Sequence, residues 1–348
     1  MKAVVLKEIG VIQVQDVPEP EPESDQIKVK IAYAGICGSD PKMIAGLNKP
    51  AYREGAIGGP AKTTPPRPGV RFMGLEASGT IVQLGKDVKG NFKVGQHVAM
   101  NFRSVCGDCY YCTNMMAQFC ERRTPLSGAM AEYAVYKENT VFPLPESLPL
   151  DVGALLEPLT IAVHSVDLAQ MKIGDSVIIT GGGPIGLLIL QVVRKFGAAK
   201  VLLSEPVAEK RKLAKQMGAD VVVDPYHEDL LAISNKFTDG RGFNVGFEVS
   251  GNADVARQLI LLADWGGTVI WVATYPPNFE LGVPIFYMHS HEITIHNVRP
   301  SPYAFPKALQ MLPTLDLKPL ITVYPLKEWA KAFETQNAGK NAKIMFKV

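Results

Sequence analysis

The sequence has neither a long apolar run nor an excess of charge of one sign. Its 36 Lys and Arg residues nearly balance 34 Asp and Glu residues, which gives a formal net charge of +2. Such a balance does not favour nucleic-acid binding, and no apolar run reaches the length of a membrane span. The apolar residues at 1–6 meet Lys7 and Glu8 too soon to form a signal-peptide core. We therefore expect a cytoplasmic protein that binds neither nucleic acid nor membrane.

Cysteine and histidine are also scarce, with five and six residues. The histidines are scattered along the chain and are interpreted as structural or surface residues. Four cysteines, however, fall within fifteen residues, at Cys106, Cys109, Cys112 and Cys120. Four thiolates at this spacing predict a closed tetrahedral zinc site that orders a segment with almost no apolar core. An iron–sulfur cluster would use the same ligands, but nothing nearby indicates electron transfer. We predict a structural zinc, because a full ligand set leaves no open position for substrate.

The length of 348 residues and the 47% hydrophobic content favour two domains, each with a sizeable core. Residues 1–35 contain short strand-like runs separated by Gly and Pro, and a loop rich in Gly, Pro and Lys is predicted at 46–69. From residue 177 strands and helices alternate, which predicts an α/β fold with a doubly wound parallel sheet. The predicted strands of that sheet are 177–180, 201–204, 221–223, 245–249, 268–272 and 293–296. A last strand at 343–348 is expected to rejoin the first domain.

A glycine motif follows the first of these strands. Gly181, Gly183 and Gly186 form G-x-G-x-x-G, with Pro184 and Ile185 between the last two glycines. In a dinucleotide-binding fold, the first glycine allows a tight turn and the second lets the backbone approach a pyrophosphate. The third lets the helix pack closely on the strand. The helix amides then face the phosphates, so these five residues are predicted to bind a dinucleotide.

The preference between NAD and NADP depends on the end of the next strand. Glu205 stands nineteen residues after Gly186, where dinucleotide folds place the carboxylate that binds the adenosine ribose hydroxyls. A carboxylate there repels a ribose phosphate, which favours NAD. Lys210 and Arg211 lie slightly downstream, and a basic group such as Arg211 could accommodate the phosphate of NADP.

Together these motifs resemble the zinc-type medium-chain dehydrogenase family, especially its polyol and butanediol dehydrogenases. The motifs are the segments 35–40, 74–76, 106–120, 157–159, 181–186 and 318–321. The resemblance implies a GroES-like catalytic domain over residues 1–150 and 299–348, with a zinc lobe at about 103–123. It also implies a Rossmann domain over residues 151–298 and a homodimer or homotetramer.

The resemblance implies a second, catalytic zinc held by a cysteine, a histidine and an acidic side chain. Cys37, Glu76 and Glu157 occupy matching positions, but Leu75 replaces the histidine and cannot bind a metal. One alternative is a zinc ion held by these three anionic side chains, which would be a weaker Lewis acid. The other is a site without a catalytic metal.

The proton-relay positions are also altered. The resemblance implies that Ser39 passes on the alcohol proton, while Lys42 replaces the relay histidine that many members carry. Lys42 can accept a proton only if burial or a neighbouring cation lowers its pKa. Polyol-oxidising members carry an Arg-Tyr pair that binds substrate hydroxyls; here Pro300 follows Arg299, so the motifs do not identify the substrate.

The implied activity is an NAD-dependent oxidoreductase that transfers hydride between a secondary alcohol, of polyol or sugar-derived type, and the nicotinamide ring. The partner is thus a small alcohol or ketone. Two alternatives remain open. One is a zinc-independent dehydrogenase, reductase or epimerase of the same fold, and the other is a nucleotide-binding relative that has lost its chemistry.

Overall fold

A computed structural model of the chain describes residues 1–47, 71–125, 128–275 and 279–348. The loop predicted at 46–69 lies almost wholly outside the described residues. The described strands of the first half are β1 (Lys2–Glu8), β2 (Val11–Asp16), β3 (Gln26–Gly35), β4 (Arg71–Phe72), β5 (Glu76–Leu84), β6 (His97–Met100), β7 (Arg103–Ser104), β8 (Thr124–Pro125), β9 (Tyr133–Lys137) and β10 (Val141–Pro143). The helices there are α1 (Ser39–Ile44), α2 (Tyr110–Thr113), α3 (Leu150–Gly153) and α4 (Leu156–Ala169).

The second half contains the alternating elements. They are β11 (Ser176–Thr180), α5 (Pro184–Phe196), β12 (Lys200–Ser204), α6 (Ala208–Gln216), β13 (Val221–Val223), α7 (Leu230–Phe237), β14 (Phe243–Glu248), α8 (Ala253–Leu261), β15 (Ala263–Trp271), α9 (Ile285–Ser290) and β16 (Thr294–Asn297). The chain ends with α10 (Ala304–Met311), β17 (Ile321–Pro325), α11 (Trp329–Ala338) and β18 (Lys343–Lys347).

The strands β11 to β16 form one parallel sheet in the order β13-β12-β11-β14-β15-β16. The order reverses between β11 and β14, and ligands of such sheets bind in the crevice outside the carboxyl ends at this point. The predicted α/β class and its parallel sheet are confirmed. The strand β15 begins at Ala263, earlier than the predicted residue 268.

The N-terminal part is built on a mixed sheet, in which β17 and β18 run parallel and the other strand pairs run antiparallel. Its order is β10-β6-β5-β3-β18-β17, and β9 also pairs with β3. The strand β18 runs antiparallel to β3, with Met345 opposite Gly35. The last strand therefore rejoins the first domain, as predicted, and it brings residues near position 343 beside the end of β3.

Apolar burial explains why these elements pack. The strand β11 is buried on both faces, and the helix α5 is buried all round from Gly186 to Leu190, where it packs between β11 and α4. The helix α4 is also largely buried and lies in the same core, which joins the parallel sheet to residues of β6 and β18. None of the helices in the described ranges combines the length and apolar character needed to cross a bilayer.

Candidate active site and metal centre

The glycine loop has the geometry of a dinucleotide-binding turn. Gly181 has φ +107°, a conformation that favours glycine, and a Cβ at Gly186 would lie 1.9 Å from the carbonyl oxygen of Gly181. Gly183 precedes α5, and a Cβ there would contact no atom within 4 Å. Pro184 is the first residue of α5 and Ile185 the second, so the helix amides are free to face a phosphate at Gly183.

Glu205 lies directly behind this loop. Its carboxylate accepts hydrogen bonds from Gly182 N at 2.6 Å and Val207 N at 2.9 Å, and the residue is buried. Arg211 donates to the carbonyl oxygen of Glu205 at 2.7 Å and forms an ion pair with Asp224 at 2.9 Å. The guanidinium of Arg211 thus already has an acidic partner, which does not favour a ribose phosphate as its ligand.

The four lobe cysteines converge on one point. Their sulfur atoms all lie within 4.8 Å of one another, with Cys106 3.8 Å from Cys112 and 3.5 Å from Cys120. A zinc ion with bonds of about 2.3 Å requires sulfur–sulfur distances of roughly 3.8 Å in a tetrahedron. Backbone N–H groups of Glu121 and Cys112 lower the pKa of Cys109 to about 6, which favours the thiolate. These residues fit a structural zinc.

The second cluster begins where β3 ends. Cys37 follows this strand, and its backbone N–H donates to Asp40 Oδ2 at 2.8 Å. The N–H of Ser39 lies 3.5 Å from the Cys37 sulfur. Burial, with smaller contributions from the nearby carboxylates of Glu76 and Asp40, raises the pKa of Cys37 to about 12. The Cys37 side chain is therefore a neutral thiol at pH 7 when no metal ion is bound to it.

Glu76 begins β5 opposite Gly35, and its carboxylate pairs with the ammonium of Lys343 from β18. Both side chains are almost completely buried, with exposed fractions of 2% and 3%. Lys343 also donates to the carbonyl oxygen of Ile36 at 3.0 Å. Burial lowers the pKa of Lys343, but the negative charge and the hydrogen bond of Glu76 act in the opposite direction, and the net shift is upward. Lys343 therefore stays charged.

Glu157 lies in the first turn of α4 and is also buried. Burial, together with the charge of Glu76, raises its pKa to about 8, although the charges of Lys343 and Arg103 oppose the shift. The Asp40 carboxyl is affected in the same way. Burial is the main cause that raises its pKa to about 7, and the hydrogen bond from the backbone N–H of Cys37 opposes this increase. The structure thus gathers several buried acidic groups around one ammonium.

The fit of a catalytic zinc can be tested on these side chains. Leu75 offers no ligand atom, and the carboxylate of Glu76 is paired with Lys343. Within the described ranges, the four-cysteine lobe is the only group of three or more His, Cys, Asp or Glu side chains with mutually close ligand atoms. Cys37, Glu76 and Glu157 therefore do not fit a zinc site in this arrangement.

Lys42 links this cluster to the parallel sheet. Its ammonium lies 3.4 Å from the carbonyl oxygen of Thr274, which follows β15. The neighbouring Tyr275 donates its hydroxyl to Glu248, a fully buried carboxylate at the end of β14. The segment from Cys37 to Lys42 therefore lies over the carboxyl ends of the parallel strands.

Several of these residues were missed by the sequence analysis. Lys343 appeared only as part of a predicted strand, and Asp40 and Glu248 were given no role. A signal existed for Glu248, because an acid that ends a buried parallel strand faces the ligand crevice. No local signal reveals Lys343, since its partner Glu76 is distant in the sequence.

Comparison with known proteins gives consistent matches along the chain. Residues 23–146 match the family model described as the alcohol dehydrogenase GroES-like domain, and residues 184–314 match the zinc-binding dehydrogenase model. The chain is 32% identical to D-arabitol-phosphate dehydrogenase of Enterococcus avium over 327 residues, which covers 91% of this chain and 88% of that protein. It is 33% identical to L-threonine 3-dehydrogenase of Pyrococcus abyssi over 327 residues, covering 91% of this chain and 89% of that protein.

Comparison with solved structures also gives a match over the whole chain. A crystal structure from Sinorhizobium meliloti 1021, assigned as a zinc-binding dehydrogenase and bound to NADP, superposes with a TM-score of 0.89 at 29% identity. The match covers 100% of this chain and 99% of that one. The predicted resemblance is thus confirmed for the family, for both types of domain and for relatives that act on polyols. The chain belongs to the zinc-type medium-chain alcohol dehydrogenase family and is a nicotinamide-dependent oxidoreductase.

Proposed function

We propose that the protein is an NAD-dependent dehydrogenase that oxidises a secondary alcohol of a polyol or sugar-derived substrate. The observation that carries this proposal is the contact between Lys42 and the Thr274 carbonyl. It sets the segment 37–42 over the sheet crevice, where the nicotinamide ring would lie when the pyrophosphate is at Gly183. The substrate carbon would then lie between the ring and this segment.

In this reaction the alcohol carbon gives a hydride to the nicotinamide ring, and the alcohol oxygen gives up a proton. Ser39 is proposed to accept that proton as its own hydroxyl proton moves on to solvent, because the exposed ammonium of Lys42 can only donate. The buried Lys343–Glu76 ion pair would form a rigid, electrically neutral wall of the pocket, and the proposed proton transfer needs no catalytic metal. Closure of the cleft would exclude water during hydride transfer.

A substrate screen tests this function directly. Purified enzyme is assayed with NAD and with NADP against linear and cyclic polyols, the corresponding ketoses, and L-threonine. We expect NADH formation with polyols. L-threonine is included because one of the relatives is an L-threonine 3-dehydrogenase. Metal analysis of the same sample should give one zinc per chain, since among the described residues only the cysteine lobe fits the ion. Two zinc ions per chain would contradict a metal-free active site but not the dehydrogenase activity, whereas activity with L-threonine alone would contradict the proposed polyol substrate.

Turnover of the cofactor separates the remaining alternatives. An epimerase that oxidises and reduces its substrate on one bound nucleotide would convert polyol or sugar isomers without net NADH release. A nucleotide-binding relative without activity would bind NAD yet change no alcohol or ketone in the screen. The proposed dehydrogenase is expected to release NADH in proportion to the product formed.

The preference for NAD is expected to depend on Glu205. The wild-type enzyme should show a higher kcat/KM with NAD than with NADP, and Glu205→Gln should reduce this ratio by about tenfold because the repelling charge is lost. Glu209→Gln, an exposed acid in the first turn of α6, is the matched control and should leave the ratio unchanged. Equal use of both cofactors by the wild type would disprove the assignment.

We also propose that the chain forms a homodimer or homotetramer in the cytoplasm and keeps the predicted domain limits of 1–150 with 299–348 and 151–298. Support for assembly comes from β16, which ends the order of the parallel sheet among the described strands. The helix α9 beside it exposes Ile285 and Phe286 by 71% and 84%. Exposed apolar side chains next to a sheet edge favour pairing with a second copy.

A further inference from the structure

Two acidic residues stand side by side at the carboxyl ends of β12 and β13. These strands run parallel, with Ser204 opposite Val223 in the register. Glu205 and Asp224 are the residues that follow, and both are buried. The backbone N–H of Glu205 donates to the carbonyl oxygen of Val223 at 3.0 Å. Asp224 therefore lies next to the position at which dinucleotide folds bind the adenosine ribose.

The guanidinium of Arg211, from the helix α6, lies between these two residues. Its Nη1 donates to the carbonyl oxygen of Glu205 at 2.7 Å, and its Nη2 lies 2.9 Å from Asp224 Oδ2. The side chains of Arg211 and Asp224 are only 19% and 12% exposed, so water and salt screen their attraction weakly. Arg211 and Asp224 thus form a shielded ion pair at the ribose end of the crevice.

Arg211 has the position required of a ligand for the additional phosphate of NADP. Dinucleotide folds that take NADP use an arginine near the ribose to bind its 2′-phosphate. Arg211 is hydrogen-bonded to the residue that would face the ribose, and a free guanidinium can donate two parallel N–H bonds to a phosphate. Here the guanidinium is already bound to the backbone of Glu205 and to the carboxylate of Asp224, so a phosphate would have to displace that carboxylate.

The carboxylate of Asp224 is itself held in place. Its Oδ1 accepts a hydrogen bond from Tyr226 N at 3.1 Å, and the imidazole of His227 lies 3.1 Å from its Oδ2. The backbone N–H of Asp224 donates to the carboxylate of Glu228 at 2.7 Å. These contacts orient Asp224 before any nucleotide binds, so little conformational entropy is lost when it pairs with Arg211.

We propose that Asp224 is a determinant of cofactor specificity, because it occupies the guanidinium of Arg211 that would otherwise bind the 2′-phosphate of NADP. The inference rests on the proposed preference for NAD and adds a second residue to it. Glu205 repels the phosphate directly, whereas Asp224 acts through Arg211 and needs no contact with the nucleotide. The chain thus contains a cation suited to NADP and keeps it neutralised.

Calorimetry with NAD and NADP tests the role of Asp224 without a known substrate. The variant Asp224→Asn keeps an oxygen acceptor for Tyr226 N but loses the charge that holds Arg211. We expect the ratio of the Kd for NADP to the Kd for NAD to fall by about tenfold, because the released guanidinium gains a charge-assisted bond to the phosphate. The Kd for NAD should change little. An unchanged ratio in Asp224→Asn would overturn the proposal.

Two double variants show whether Arg211 carries the effect. Arg211→Gln/Asp224→Asn should lose the gain, because no guanidinium remains to bind the phosphate. Glu205→Gln/Asp224→Asn should have a lower ratio than Glu205→Gln alone, because no carboxylate at Glu205 then competes for the released guanidinium. A gain that persists in Arg211→Gln/Asp224→Asn would attribute the effect to repulsion by Asp224 itself and contradict the proposal. Equal ratios in Glu205→Gln/Asp224→Asn and Glu205→Gln would also contradict it.

Asp220→Asn is the matched control. Asp220 precedes β13 and forms an ion pair with Arg194, so it lies at the opposite end of the strand from Asp224. The substitution removes the same charge from beside an arginine, but away from the ribose, and should leave the ratio unchanged. An equal fall in Asp220→Asn and Asp224→Asn would attribute the effect to net charge and overturn the site.

Binding and turnover separate this inference from the proposed function. If both nucleotides bind but no alcohol is oxidised, the proposed reaction fails, while the ratio in Asp224→Asn still decides the role of Asp224. Equal affinity of the wild type for NAD and NADP disproves the preference for NAD, and a fall of the ratio in Asp224→Asn then still supports the ion pair as a determinant. Binding of neither nucleotide by folded wild type overturns both proposals.

Discussion

Replacing Lys343 by methionine is expected to lower the free energy of unfolding by about 3–5 kcal/mol. The substitution keeps most of the side-chain volume but removes the ammonium that pairs with Glu76. Because Glu76 is only 2% exposed, its carboxylate is left buried without its partner. The midpoint of urea unfolding, followed by circular dichroism, measures the loss.

A second buried lysine provides the control. The side chain of Lys28 is 6% exposed, but its partners Glu19 and Glu21 are 45% and 72% exposed. Lys28→Met leaves those carboxylates in water, so we expect a loss of about 1 kcal/mol or less. Equal losses for Lys28→Met and Lys343→Met would show that the buried pair has no special role.

The double variant Glu76→Gln/Lys343→Met identifies the cause. Removing both charges should recover a large part of the stability lost in Lys343→Met, because the unpaired carboxylate is gone. A double variant that is as unstable as the sum of the single variants would attribute the loss to packing instead. Zinc analysis of Lys343→Met adds a readout, since two ions per chain would show that Lys343 excludes a metal from Glu76.

Loss of the lobe zinc is the second large effect that we expect. Cys120→Ser should remove the ion, lower the melting temperature and expose segment 103–123 to limited proteolysis. The lobe core contains little besides the cysteines, Ala117 and parts of Val105 and Tyr111. Metal binding supplies about 10–16 kcal/mol in zinc-finger peptides, and this burial cannot replace it.

The effect of zinc loss on function should be selective. Val105 and Ala117 of the lobe line the same pocket as Glu157 of the proposed active site, so substrate KM is expected to rise, while NAD affinity measured by calorimetry should not change. The control is Cys37→Ser, which alters the cysteine outside the lobe and should retain the structural zinc. Full proteolytic resistance of Cys120→Ser would contradict the assignment of a structural ion.

Much of the fold could be predicted because its signals are local. The glycine motif, the β-branched strand before it and Glu205 lie within thirty residues, and each position has its own steric or charge requirement. The four cysteines are equally local. The helices α7 and α11 were not predicted, although Asp229 caps α7 by accepting from Ala232 N. Short amphipathic helices in a polar stretch depend on tertiary packing.

The active-site environment could be predicted only in part. Leu75 already indicated that a catalytic zinc lacked a ligand, but the sequence did not show which cation stands near Glu76. A lysine in a strand usually faces solvent, and the burial of Lys343 follows from the pairing of β18 with β3.

The pairing of β18 with β3 also has a consequence for biosynthesis. Synthesis at 5–20 residues per second needs on the order of 10–50 s to cover the 267 residues between Glu76 and Lys343. Throughout that interval the nascent chain cannot neutralise Glu76 in the interior of the sheet, so this carboxylate must stay hydrated or bound by a chaperone. The contact between Glu76 and Lys343 is therefore among the last in the molecule to form.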